Sequence, residues 1–390
     1  MTASSVSGEC VVLCVGDTTY LDYGTILLKQ DGYGPQGKGG NGLLLHSAMA
    51  VDPEQGQPLG LLWQKLWNRQ HRAKACADET PEQKKQRRAK TRKAKRVQPF
   101  AEKESYRWVE AMTTVEKQVA PSTRVIHVFD REGDIAEVLE QLNKLTHTGV
   151  VVRAAHNRSL EDDPNRLWEK LETQPIRAYH EVELSETKTR PARTAKLAVR
   201  FCPVQLRPPA RLGTDSHLQV YAVYAHEVDC PEGEEPVSWM LLTSEMVTTI
   251  EQAKTILRWY SYRWRVEEYH KLLKSGCQAE RYRLAAEGMK PLLGFLSVIA
   301  VDLLRLTYLQ RTQPEMPAEE VLNSTQIQVL KAKSARLPKT LTVAWAVEAI
   351  AWLGGYLEHR RKTPIGIQVL WRGWAKLHDL VEGWQLANQT

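Results

Sequence analysis

Residues 124–154 read RVIHVFDREGDIAEVLEQLNKLTHTGVVVRA, and this stretch decides the predicted fold class. Its first six residues are an apolar, β-rich run that predicts a strand, and its last six residues predict another. Between them, apolar residues recur at helical spacing from Asp134 to Leu145. Toward the N-terminus, similar runs predict strands at Val11–Gly16 and Gly42–Val51. Alternating strands and helices are typical of the α/β class.

The character of the sequence changes between about residue 175 and residue 245. Strand-like segments there are separated by proline-containing loops, which predicts an antiparallel β insertion. The segments are Tyr179–Leu184, Lys196–Phe201, Leu218–Tyr224 and Trp239–Thr243. Further on, Thr249–Ser275 predicts one long helix that Gly276 ends, and residues 290–390 are mostly helical in pattern.

The composition is that of an ordinary folded protein. Hydrophobic residues make up 42% and charged residues 25% of the 390 positions, which excludes a mostly disordered chain, a collagen and a coiled-coil rod. Six cysteines without a C-x-x-C pair argue against a disulfide framework or a zinc site. The start lacks the pattern of a signal peptide, and the longest apolar run, Pro291–Val301, is too short to span a bilayer. We therefore predict a cytoplasmic protein with no membrane partner, in which that run is a buried helix.

The positive charge of the chain is concentrated in one short run. The chain has 53 Lys and Arg against 46 Asp and Glu, a formal net charge of +7. Nine basic residues and no acid lie between Lys84 and Arg96, so this run accounts for the whole excess. Its residue types have good helical propensity. Two interpretations stay open, an arm that contacts nucleic-acid phosphates and a solvated loop insertion.

Two carboxylates directly follow predicted strands. Asp17 comes after Val11–Gly16, and Asp130 comes after the strand that begins at Arg124. Active sites of α/β sheets collect at strand ends, and carboxylates there are natural ligands for Mg²⁺. An aspartate in this position also serves as a turn or helix cap, so the two residues alone leave both interpretations open.

A third carboxylate, Glu267, lies among cations on the predicted helix 249–275. On a helical projection, one sector about 60° wide holds Tyr260, Arg263, Glu267 and Lys274, with His270 and Lys271 beside it. This face is either ordinary surface with i, i+4 ion pairs or part of a site. Three carboxylates could hold two divalent ions for phosphodiester chemistry, while the cations grip the DNA backbone.

The same helix carries a motif of a known family. The spacing of Tyr260, Arg263, Glu267 and Lys274 resembles the Tyr-x2-Arg-x3-Glu-x6-Lys motif of the insertion-sequence-four family of DDE transposases. The residues after Asp17 and the run 130–134 resemble the first and second aspartate motifs of that family. The likeness covers nearly the whole chain, through the segments 102–105, 190–193, 239–245 and 369–373.

The resemblance implies an α/β fold with an RNase H-like catalytic core, an antiparallel β insertion and a C-terminal helical region. We predict the first part of the core at 1–154, with a basic insertion at about 71–98. The β insertion is predicted at 155–236, the last core strand and the Glu-bearing helix at 237–289, and a helical dimerisation region at 290–390.

The resemblance also implies Mg²⁺-dependent cut-and-paste transposition, with Mn²⁺ as an alternative cofactor. Asp17, Asp130 and Glu267 would bind the metal while a homodimer on paired transposon ends nicks the DNA, forms and resolves a hairpin, and joins the end to target DNA. The residues predicted to contact DNA are Tyr260, Arg263, Lys271, Lys274, Arg153 and His156. Trp239 would stack on a flipped base. Position 155, where a lysine is expected, is Ala155.

Two departures from the family keep other functions open. Only sixteen residues precede Asp17, which predicts that a separate end-recognition domain is absent, and the run 84–96 is an insertion. The alternative function is a truncated, catalytically idle protein that binds DNA or inhibits a full-length transposase by dimerising with it. A plain nuclease of the same fold is a third option. The near P-loop at 32–39 lacks the Mg²⁺-binding hydroxyl and is interpreted as a flexible loop. We expect the protein in the bacterial cytoplasm, at the nucleoid.

Overall fold

A computed structural model gives the architecture of the chain. It describes residues 2–24, 32–35, 40–70, 79–184, 191–213, 216–334, 337–357 and 365–388. The strands are β1 (Val11–Asp22), β2 (Gly34–Pro35), β3 (Asn41–Val51), β4 (Pro58–Trp67), β5 (Arg124–Phe129), β6 (Thr148–Arg153), β7 (Ala178–Leu184), β8 (Arg193–Leu206), β9 (Leu218–Val228) and β10 (Ser238–Thr243). The helices are α1 (Thr2–Val6), α2 (Pro81–Val97), α3 (Tyr106–Gln118), α4 (Ala136–Gln141), α5 (Leu167–Thr173), α6 (Ile250–Ser261), α7 (Trp264–Lys271), α8 (Ala286–Thr312), α9 (Ser324–Lys333), α10 (Val343–Leu353) and α11 (Ile367–Ala387).

The described strands form one continuous mixed sheet with α-helices packed against it. The order is β2-β3-β1-β5-β6-β10-β9-β8-β7, and β4 also pairs with β3. Strands β1, β5 and β6 are parallel neighbours, whereas β3, β4 and β10 run antiparallel to the strands beside them. The chain is therefore an α/β protein whose parallel strands occupy the middle of an open sheet.

The middle of the sheet is buried on both faces. In β1, Leu13 and Val15 belong to the larger core, which the helices from α6 to α11 cover. Val12 and Cys14 point the other way, into a cluster that includes Val6 of α1. Parallel strands with helices on both sides have near-continuous apolar sequences, which is why the central strands could be recognised from hydrophobic runs.

Strand β1 extends beyond its predicted end. The sequence predicted that Asp17 follows the strand, but β1 runs through this residue to Asp22. The extension forms because residues 16–22 pair with β3, for example Asp17 with Ser47. Pairing with β5 stops earlier, at Val15. Asp17 thus lies inside the strand, just past the point where its parallel neighbour ends.

The predicted helix 249–275 is broken. The backbone forms α6, a turn at Tyr262, then α7 and a π-helical turn at Leu272–Gly276. At the break, i→i+3 hydrogen bonds replace the i→i+4 pattern. The loop before β4 holds the turn, because Tyr262 donates a hydrogen bond to the Glu54 carbonyl and Arg265 to the Gly56 carbonyl. A helical projection across this break is therefore wrong.

Other predictions differ from the structure mainly in length. Strands β8 and β9 are longer than predicted, because they pair with each other from Lys196 to Leu206. Helix α4 is shorter than predicted and continues as a 3-10 turn to Lys144. The basic run forms α2, and the helical character expected after residue 290 is confirmed by α8 to α11. The division into four segments stays a prediction.

Helix α8 contains the longest apolar run. Among the described residues it alone is long and apolar enough to cross a membrane by length and composition, because the run 291–301 is part of a longer helix than the sequence predicted. The apolar run is embedded in a helix of 27 residues. Half of its most apolar stretch is buried, and Leu296, Ala300 and Leu303 lie in the main core. A core helix meets the same criteria.

Two sequence motifs lie partly outside the described residues. These are Arg190 of the segment 190–193 and much of the glycine-rich stretch 32–39. Within the latter, Gly34 and Pro35 form β2, which pairs with Asn41 and Gly42 of β3. This part is a strand and not a flexible loop.

Candidate active site

The register between β1 and β5 brings two carboxylates to the same level of the sheet. Val15 of β1 pairs with Val128 of parallel strand β5. Asp17 and Asp130 each lie two residues beyond that pair, on neighbouring strands whose ordinary separation is about 4.8 Å. Asp130 directly follows β5 and caps a 3-10 turn, because its Oδ1 accepts the Glu132 N–H at 2.8 Å.

Asp17 is largely withdrawn from solvent. Its side chain is 20% exposed, and Oδ1 accepts the Thr18 N–H at 2.8 Å. Burial raises the pKa of Asp17 to about 7, because a buried carboxylate loses hydration. The Thr18 N–H lowers this pKa and Asp130 raises it, with smaller effects from Arg263, which lowers it, and Glu267, which raises it. Asp17 therefore lies within electrostatic range of both other predicted carboxylates.

Glu267 reaches this group from α7. Arg263, at the start of the helix, forms an ion pair with Glu267, with 2.6 Å between Nη1 and Oε1. Arg263 is buried, and its guanidinium also lies 4.6 Å from the ring centre of Trp264. Burial alone would lower the pKa of Arg263, but Tyr260 and Glu267 together hold it above its ordinary value. The site thus contains three acids and one well-fixed cation.

The donor chemistry of the three carboxylates fits a hard divalent cation. Carboxylate oxygens are the ligands that Mg²⁺ prefers, and Asp130 and Glu267 both raise the pKa of Asp17, which places both acids within electrostatic range of it. Among the described residues, however, no group of three or more His, Cys, Asp or Glu is arranged to hold a metal ion. In this arrangement Glu267 is instead neutralised by Arg263.

A polar network that the sequence reasoning missed supports the two aspartates. Arg107 of α3 donates from Nε to Thr18 Oγ1 at 2.8 Å and from Nη2 to Glu132 Oε2 at 2.6 Å. Thr18 Oγ1 also lies 2.8 Å from His46 Nδ1. Arg107 therefore joins the residue after Asp17 to the turn after Asp130. The available signal was the polar pair His46 and Ser47 between the apolar residues of β3.

His270 is a second residue near the acids whose role was not predicted. Its Nδ1 is 3.9 Å from Asp17 Oδ2, and Nε2 is 3.2 Å from Ser47 Oγ. Burial, followed by Lys274, lowers the pKa of His270 to about 3. The imidazole is therefore neutral near pH 7, and its contact with Asp17 is a weak polar contact and not an ion pair.

The other predicted DNA contacts on these helices occupy different surroundings. Tyr260 is buried, and its ring meets Trp239 of β10 edge-on with 5.3 Å between ring centres. Lys274 donates to the Tyr20 carbonyl at 2.8 Å and also pairs with Glu280 at 3.2 Å. These contacts fasten the Glu267-bearing segment to both β1 and β10.

Three predicted contacts are less directly connected to Glu267. Lys271 is exposed and lines a cavity of about 270 Å³ beside Glu268, without an ion pair to Glu267. Arg153, at the end of β6, donates to the Ser238 carbonyl at 2.8 Å. Because Phe129 pairs with Val152, Arg153 is level with Asp130 on the next strand, and the exposed His156 follows it.

Comparison of the sequence with family models identifies the family of this chain. A family model described as a transposase DDE domain matches residues 28–287, which is more than half of the chain. The matched range contains Asp130 and Glu267 and begins after Asp17.

Proposed function

The chain belongs to the family of transposase DDE domains, and on this premise we propose that it cuts and joins DNA strands with Mg²⁺ bound by Asp17, Asp130 and Glu267. The register of β1 and β5 is the observation that carries this proposal. It sets two acids side by side where β5 ends, and the raised pKa of Asp17 reports that Glu267 is also within electrostatic range.

In the proposed reaction, Asp17, Asp130 and Glu267 would hold Mg²⁺, which when bound would supply activation of the attacking water or hydroxyl and charge stabilisation of the leaving oxygen. The protein supplies orientation. Arg107 holds the side chains of Thr18 and Glu132, which lie beside the two aspartates, and Lys274 fastens the helix segment that carries Glu267 to β1. Arg263 is a buried cation beside Glu267 and supplies positive charge close to the scissile phosphate.

The more specific proposals about fold, family and pathway rest on the strand order and on the residues of the helix motif. We propose an RNase H-like core, supported by the central strand order β3-β1-β5-β6 with three parallel strands. The spacing from Tyr260 to Lys274 supports membership of the insertion-sequence-four family, with its likeness to the transposase of the composite transposon numbered five. The corresponding pathway is cut-and-paste transposition through a hairpin, acting on transposon-end DNA and target DNA.

Two further elements of that pathway have candidate residues. Trp239 is half-buried against Tyr260, so its indole has a supported position from which to stack on a flipped base. A homodimer on paired ends is proposed to form through the helical region 290–390, where Phe295 and Val298 expose large apolar side chains. The proposed site of action is the bacterial nucleoid.

Cleavage of labelled DNA tests the proposal. Purified protein is incubated with a labelled duplex that contains the DNA flanking its own gene. One reaction contains about 5 mM Mg²⁺ and the other contains EDTA. We expect nicking in Mg²⁺ that Glu267→Gln abolishes. The matched control is Glu268→Gln, because the neighbouring Glu268 pairs with Arg265 outside the acid cluster and should retain nicking.

The outcomes separate the candidate functions. Nicking that survives Asp130→Ala or Glu267→Gln would show that another site cuts the DNA. Binding without nicking by the wild-type protein, together with suppression of an active transposase, would support the idle, inhibitory alternative. Nicking without joining to a target duplex would support a plain nuclease.

A further inference from the structure

Helix α2 stands apart from the core. None of its residues is buried, yet the helix is fully capped. Thr80 and Gln83 form a capping box, a proline begins the helix, and Lys95 and Arg96 occupy the last turn, where positive charge is favourable. The helix is thus specified by its own sequence, and burial of apolar side chains is not its role.

Most of the cations of α2 lie on one side. At 100° per residue, six of the nine fall within a sector of about 120° that we call the basic face. It consists of Lys84, Lys85, Arg88, Arg92, Lys95 and Arg96. None of the six forms an ion pair with another residue in the part of the chain that the structure describes. Arg87, outside the basic face, is held by Glu79 at 2.7 Å.

Such a face is unfavourable for the isolated protein. Lys84 and Arg88, Arg88 and Arg92, and Arg92 and Arg96 are each four residues apart, so like charges repel along the helix surface. A dense anion would remove this repulsion. The basic face rises about 18 Å along the helix axis, and duplex DNA presents one phosphate charge per about 1.7 Å of its own axis.

The end of α2 adjoins a cleft with further cations. Lys95 and Gln98 form one wall of this cleft, whose volume is about 1180 Å³. The other basic residues that line it are Lys65, Arg69, Lys103 and Arg107, against two lining acids, Glu102 and Glu104. Arg96, next to Lys95, lines a neighbouring cavity of about 500 Å³ with Lys103 and Arg211.

The far side of the cleft reaches the carboxylate site. Arg107 lines the cleft and hydrogen-bonds Thr18, the residue after Asp17. Its other contact is Glu132, in the turn that Asp130 caps. The cleft therefore connects Lys95, at the end of the basic face, with Arg107 beside the candidate active site, while Arg69 and Arg107 are each paired with a glutamate.

We propose that the basic face of α2 binds the phosphate backbone of the duplex whose strand is cut at the carboxylate site. This inference rests on the proposed function. In it, α2 contacts the part of the duplex that lies on the side of the cleft lined by Lys95. The contact is to backbone phosphates and is independent of base sequence, because long flexible cations on an exposed helix provide charge without a fixed hydrogen-bonding pattern.

The salt dependence of DNA binding tests this assignment. Anisotropy of a labelled 40-bp mixed-sequence duplex is measured in EDTA at several KCl concentrations. Each lost phosphate contact lowers the slope of log K against log salt by about 0.9. The triple variant Lys84→Gln, Arg88→Gln, Lys95→Gln should lower the slope by about 2–3 and weaken binding roughly tenfold or more at 0.1 M salt.

A second triple variant on the same helix is the matched control. Arg87→Gln, Lys90→Gln, Lys93→Gln removes one arginine and two lysines as well, but from outside the basic face, and should change the slope by less than about 1. Circular dichroism checks that both variants keep their helix content. Equal slope changes in the two variants, or no change in the first, would overturn the proposal.

The result is separable from a failure of the proposed function. Binding is measured without Mg²⁺, so it does not depend on catalysis. At low salt the first triple variant should still nick DNA in a Glu267-dependent manner. Nicking that does not depend on Glu267 would contradict the active-site assignment, but the comparison of salt slopes would remain valid. An unchanged slope together with Glu267-dependent nicking would contradict only the role of α2.

Discussion

Replacing Asp17 by asparagine should stabilise the protein at alkaline pH while removing its proposed catalytic function. The carboxylate is largely buried, and its pKa of about 7 compares with an ordinary value of 3.8. Asparagine keeps the shape and can still accept the Thr18 N–H, but it carries no charge to be desolvated or repelled. The wild-type protein therefore gives up stability to keep an acid here.

The size and the sign of the effect follow from proton linkage. Between pH 4 and pH 7 the folded state retains a proton on Asp17 that the unfolded state has lost, so the free energy of unfolding falls as the pH rises. One pKa unit corresponds to about 1.36 kcal/mol, which sets an upper bound of about 4 kcal/mol for the total fall. Above pH 8 this contribution is constant. Asp17→Asn should be more stable than wild type by about 2–4 kcal/mol at pH 8 and by much less at pH 5.

Urea unfolding followed by tryptophan fluorescence at pH 5, 6, 7 and 8 measures the difference. Asp162→Asn is the control, because this aspartate is exposed and should give the wild-type pH profile. Equal pH profiles for wild type and Asp17→Asn would refute the reasoning, because they would mean that Asp17 ionises normally in the folded protein. Mg²⁺ at pH 8 should stabilise wild type more than Asp17→Asn, because a ligand that binds only the folded state adds to its stability.

Three further predictions concern residues around the acids. A Cβ on Gly16 would lie 2.8 Å from Phe129 Cε1, so Gly16→Ala should lower the free energy of unfolding by about 1–3 kcal/mol in urea, whereas Gly8→Ala, with open space around it, should not. Arg107→Met removes the guanidinium that joins the two aspartate segments, and should slow nicking at least about tenfold in a single-turnover assay; an unchanged rate would contradict a positioning role. Trp239→Ala should reduce hairpin formation more than initial nicking while Trp239→Phe retains both, and equal losses at the two steps would argue against base stacking.

Several elements of the fold were determined by local sequence. The strand at Arg124–Phe129 was predicted with its exact bounds, because a run of apolar residues buried on both faces is a strong local signal. Helix formation in the basic run was also predictable, since its caps and propensities lie within the segment itself. The ion pair of Arg263 with Glu267 follows from i, i+4 spacing, and it forms despite the break because Arg263 is the N-cap residue of α7, in which Glu267 lies.

The geometry of the candidate site was decided by contacts between distant segments. The sequence placed Asp17 at a strand end, but pairing with β3 carries the strand past it, and the β1–β5 register brings it level with Asp130. No local pattern specifies that register. The loop 52–57 likewise breaks the long predicted helix, and tertiary packing buries Tyr260, which a helical projection had placed on an exposed stripe.

The sequence by itself identified the candidate residues, namely three acids in motifs that resemble those of a known family, together with the location of the surplus positive charge. The tertiary structure alone decided the environment of these residues. It gave Asp17 a pKa of about 7, kept His270 neutral and connected Arg107 to both aspartate segments. The physical reason is that desolvation and charge interactions depend on which groups lie within a few ångströms, and neighbours in the sheet come from segments far apart in the chain.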